Sequence, residues 1–143
     1  MRARLGRPDL ADHNHLFAVP AAEPAGPLAI TWAGVSTLLI SDGDSALMTD
    51  GFFTRPALAQ VGLGRIAPSI PRIDGCLGRL GVRRLDAVLP VHTHYDHGLD
   101  SAVVAERTGA TLIGGRSAAN IGLGQGLPED RIMVADPGSA LSF

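Results

Sequence analysis

His92-Thr93-His94-Tyr95-Asp96-His97 gathers three of the chain's five histidines and one carboxylate within six residues. Neutral imidazole nitrogens beside a carboxylate form a donor set for zinc, iron or manganese more than for calcium, which prefers oxygen alone. In an extended segment residues i and i+2 face the same side, so His92 and His94 are expected to close on one ion. Asp96 and His97 point differently and suit a second. A cation held this way lowers the pKa of bound water and polarises a carbonyl or phosphoryl oxygen.

Such a cluster needs a rigid mount. Leu85-Asp86-Ala87-Val88-Leu89-Pro90-Val91 precedes it, an apolar run of the length of a buried parallel strand, and Gly98 and a helical pattern over 101–108 follow. The cluster is therefore expected at a strand's carboxyl end, where loops anchored by a sheet stay open to ligands. Upstream, Leu28 to Ala33, Thr37 to Ser41 and Ala46 to Asp50 read as consecutive antiparallel strands, with Asp42-Gly43 as a turn that tolerates positive φ. From Gly51 to Pro71 the pattern is loop-like and Pro-punctuated, with no clear period. Ile73, Leu77 and Leu80 then mark the apolar side of a helix that Gly81 ends. Ala110 to Gly114 and Arg131 to Val134 read as further strands, and Ser117 to Asn120 as the start of a short helix.

The length of 143 residues suits one α/β domain, preceded over residues 1–27 by an arm rich in Pro, Ala and charge. His13 and His15 fall in that arm and are expected to be solvated. All twelve basic residues are arginine, the formal net charge is -2, and the arginines are spread along the sequence. That distribution gives no expectation of a nucleic-acid or anionic-membrane partner and no phosphate-binding design. Cys76 is the single cysteine, so no internal disulfide can form, and its helical context suggests a small core residue. The basic start lacks a continuous apolar stretch, and no run reaches the eighteen or so apolar residues of a membrane helix. A cytoplasmic protein acting on a small molecule is the expectation.

With these motifs in place, residues 28–143 resemble the metallo-β-lactamase-fold hydrolases. Ile30 to Leu38, Thr49-Asp50-Gly51 and the HxHxDH motif at His92 to His97 match in order. The resemblance implies an αββα sandwich with two zinc ions, manganese or iron being alternatives. It assigns His92 and His94 to one metal and Asp96 and His97 to the other, Asp96 being the catalytic carboxylate. Asp50 looks like the acid that orients a ligating imidazole, or else an ordinary strand-end aspartate. Tyr95 to Asp100 is similar to the branch with ascorbate-phosphate lactonase-like proteins and phospholipase D-like phosphodiesterases, with Asp100 either catalytic or a helix cap. The family's further histidine and aspartate ligands are not identifiable after His97, and Asp136, beside Pro137-Gly138, reads as a turn residue. The chain is therefore expected to be the amino-terminal half of such a hydrolase, completed by a missing carboxyl-terminal half or by a homodimer. The alternative is a non-catalytic metal-binding or interaction fragment.

Overall fold

A computed structural model describes residues 26–142 together with Ala11 and His15. The arm expected over 1–27, His13 included, lies almost wholly outside the described residues; His15 is exposed. Strands β1 (Ala29–Gly34), β2 (Thr37–Ser41) and β3 (Ala46–Thr49) run antiparallel, and β4 (Ala87–Leu89), β5 (Thr111–Gly114) and β6 (Ile132–Val134) add in parallel, giving one sheet of order β1-β2-β3-β4-β5-β6. At the β2–β3 turn Gly43 takes φ +98°. The Asp42 carboxylate accepts the N–H groups of Ser45 and Asp44, and these bonds, Ser45's first, hold its carboxyl below the ordinary range.

Register fixes what each face buries. Leu39, Met48, Val88, Leu112 and Ile132 are lateral partners across the sheet and share one face. Helices α2 (Ile70–Arg79), α4 (Ser101–Thr108) and α5 (Arg116–Gly124) supply the opposing layer, with Ile73, Leu77 and Val104 closing a core around Met48, Val88 and Leu112. Each such side chain removed from water is worth about 1.5–3 kcal/mol. α5 comes very close: a Cβ on Gly122 would stand 2.9 Å from both Ile132 Cδ1 and Leu112 Cδ2. The other sheet face carries Ile30, Trp32 and Met133, which are exposed by 61%, 60% and 42%. The architecture is mixed α/β with helices on one face; the second sheet of a sandwich is not among the described residues.

The segment expected as loop between Gly51 and Pro71 contains a further helix, α1 (Leu58–Leu63), capped by Gln60 Oε1 accepting the Ala57 N–H at 3.0 Å. It was hidden because six residues between Pro56 and Pro68, with Gly62 inside, cover too few turns to show a period. α5 likewise runs through glycines that read as punctuation. No helix among the described residues is long and apolar enough to cross a membrane.

Candidate metal centre

The carboxyl ends of the parallel neighbours β3 and β4 meet at Asp50. This residue and Gly51 both take positive φ, +53° and +74°, turning the chain sharply out of β3. Aspartate tolerates that region better than most residues, and glycine is needed next, since a Cβ on Gly51 would lie 2.9 Å from Val104 Cγ2. The Asp50 side chain is fully buried and completely engaged. Its Oδ1 accepts the Val91 N–H at 2.8 Å, and its Oδ2 accepts the Ser36 hydroxyl and faces His97 Nδ1 at 2.8 Å. Further bonds complete the anchor: Asp50 N donates to Leu89 O, and the single Ser101 hydroxyl proton is shared between Asp50 O and His97 O.

After β4 the chain bends instead of staying extended, and a single helical turn, α3 (Tyr95–Gly98), starts at His94. That turn brings Asp96 and His97 round to His92. Ligand atoms of His92, Asp96 and His97 lie within 4.8 Å of one another, and His97 Nε2 is 3.7 Å from Asp96 Oδ2. Donors about 2.0–2.2 Å from a tetrahedral cation sit roughly 3.4 Å apart, so these three donors would draw inward to share one cation. The His92 and His97 rings stand 3.8 Å apart between centroids. His94 is outside the three-residue group, its ring edge-on to His92 at 4.7 Å. Asp96 and His97 thus stand beside His92, and the bend at 91–94, which breaks the i, i+2 alternation, leaves His94 next to that group and not within it.

Sequence reading misses two further members of this network. Ser36, on the β1–β2 turn, lies 3.0 Å from His97 Nδ1 and donates to Asp50, and Ser101 links Asp50 at the end of β3 to His97 in α3. No local pattern marks Ser36; beside it Val35, a β-branched residue, takes φ +53°, and its carbonyl accepts the Trp32 indole N–H at 2.9 Å. Asp100 takes the N-cap position expected of it at the start of α4, without using its side chain as a cap. Instead Oδ2 accepts the N–H groups of Phe53 and Thr54 at 2.7 and 2.6 Å, and Oδ1 accepts the Thr54 hydroxyl. It pins the loop that leaves Asp50.

No family model matches the chain. A UPF0173 metal-dependent hydrolase of Myxococcus xanthus is 30% identical over 120 residues, covering 83% of this chain and 36% of that protein. Another, from Anaeromyxobacter sp. (strain K), is 30% identical over 134 residues, 91% of this chain and 43% of the relative. A probable L-ascorbate-6-phosphate lactonase UlaG of Escherichia coli O139:H28 is 28% identical, at 81% and 38% coverage. Among solved structures, Igni18, a metallo hydrolase from Ignicoccus hospitalis, superposes with a TM-score of 0.55 at 19% identity, covering 80% of this chain and 42% of that one. Fold and relatives together define the class: the chain has a metallo-β-lactamase-type fold and is similar in sequence to metal-dependent hydrolases. It spans well under half the length of the curated relatives it matches.

Proposed function

We propose that the chain carries the ligand cluster of a metal-dependent hydrolase that activates water for attack on an ester, a lactone or a phosphodiester of a small molecule. The observation that carries this reading is the placement of His97: Nδ1 lies 2.8 Å from the buried Asp50 carboxylate, and Nε2 faces Asp96. A ring that donates Nδ1–H to that carboxylate presents Nε2 as the nitrogen for a metal. His97, Asp96 and His92 would hold the ion, and His94 would join them by rotating about its side chain. Zinc suits this donor set best, and manganese or iron follow. A cation there supplies water activation and charge stabilisation. Asp96 contributes the negative charge of the set, while Asp50 and Ser36 hold the His97 ring in place. The likeness to the UlaG proteins supports a lactone among the three substrate classes. Remaining ligands would come from sequence beyond the shared segment or from a second copy in a homodimer.

A second reading, a non-catalytic metal-binding or interaction segment, is favoured by the convergence of only three donors among the described residues. Zinc affinity and chelator-reversible hydrolysis of a lactone, a carboxyl ester and a phosphodiester separate the two. Binding with turnover supports the hydrolase, and binding without turnover supports the second reading. A folded chain that binds no zinc overturns the hydrolase reading and leaves only an interaction segment in which the cluster is inert.

A further inference from the structure

Arginines that are dispersed along the sequence converge in the fold. Arg55, Arg65 and Arg72 line one cavity of about 410 Å³ together with Thr54, Gln60 and Ser69, and none of its ten lining residues is acidic. An adjoining cavity shares Arg55 and Arg72 and adds Arg79. Among the described residues no carboxylate stands within ion-pair distance of any of these four; the arginines that are paired, Arg84 and Arg107, lie elsewhere.

Two of the guanidinium groups are held in place by neutral acceptors, which leaves their charge uncompensated. Arg55 Nη2 donates to Ala33 O at 2.7 Å, and Arg72 Nη1 donates to the carbonyls of Thr54 and Arg55. Arg55 itself takes φ +43°, a region that non-glycine residues seldom occupy and that tends to mark functional loops. The opposite groups, Arg55 Nη1 and Arg72 Nη2, keep their donors, as does Arg65. Gln60 offers its amide nitrogen, because its oxygen is used by the Ala57 N–H. The nearest negative charge on the Thr54 side, Asp100, is buried and saturated by Phe53 and Thr54.

We propose that this cavity binds a phosphate oxyanion, either free phosphate or the phosphomonoester group of a small molecule, through Arg55, Arg65 and Arg72. A planar carboxylate is satisfied by one forked guanidinium, whereas a tetrahedral dianion with several acceptor oxygens matches three donors arriving from different elements. The site is separate from the His92, Asp96 and His97 cluster and does not depend on a metal.

The test is calorimetric titration of the full, metal-free chain with inorganic phosphate and with glycerol 3-phosphate at constant ionic strength. Arg65 makes no hydrogen bond or ion pair within the described residues, so Arg65→Gln should fold normally and weaken binding roughly tenfold, the loss of one charge-assisted contact. Arg84→Gln, outside the cavity, should bind like the wild type. Tighter binding of glycerol 3-phosphate than of phosphate identifies a phosphomonoester as the ligand, and equal binding identifies the free ion. Absence of saturable binding of either probe, an unchanged Arg65→Gln, or equal weakening by Arg84→Gln would overturn the proposal. Since the sample is metal-free, none of these results depends on the hydrolase reading.

Discussion

Asp50→Asn keeps the shape of a fully buried side chain and removes only its charge and one acceptor. The wild-type carboxylate takes three donors: Val91 N–H at Oδ1, and the Ser36 hydroxyl and His97 Nδ1 at Oδ2. With the amide oxygen kept on Val91, the new NH2 group faces His97 Nδ1 and Ser36. The Ser36 hydroxyl can rotate to accept, but the imidazole must present a lone pair at Nδ1 and so carries its proton on Nε2. That is the wrong tautomer for ligation. Loss of such an orienting partner typically weakens metal binding 10–100-fold, or about 1.4–2.7 kcal/mol. Asp50→Ala would instead strand three buried donors at about 1–3 kcal/mol each and is expected to compromise folding. Zinc affinity of Asp50→Asn is measured by competition with a chromophoric chelator, with circular dichroism confirming the fold. A folded Asp50→Asn that binds zinc as tightly as the wild type would refute the orienting role.

Further outcomes follow from the packing. Asp100→Ala deprives the N–H groups of Phe53 and Thr54 of their acceptor and should lower stability by about 2–5 kcal/mol, read from urea unfolding. Ile73→Ala empties a fully buried position and should cost about 2–5 kcal/mol in the same assay. Gly122→Ala forces its Cβ against Ile132 and Leu112 and should cost about 1–3 kcal/mol, with a lowered Tm.

Much of the fold is legible locally. Three short apolar runs and the Asp42-Gly43 turn specify β1 to β3, and the apolar run before His92 specifies β4, because pleat alternation and turn chemistry act over a few residues. The glycines within α5 are not legible locally: position 122 is glycine because Leu112 and Ile132 leave no room for a side chain, a condition set from distant strands. The site divides in the same way. The residue types of His92, Asp96 and His97 announce metal chemistry, yet their grouping depends on the bend before α3. The link from His97 to Ser36 and Asp50 spans 61 and 47 residues, beyond the reach of any spacing argument. The arginine cavity is hidden for the same reason, since Arg55, Arg65 and Arg72 sit on a loop, a connection and a helix that only tertiary packing assembles.

The most direct test of the metal centre is the zinc content of the full chain after equilibrium dialysis and elemental analysis, wild type beside His97→Ala. The account predicts zinc retained by the wild type and largely lost from a His97→Ala variant whose circular dichroism is unchanged. Equal zinc content in the two folded proteins would contradict it.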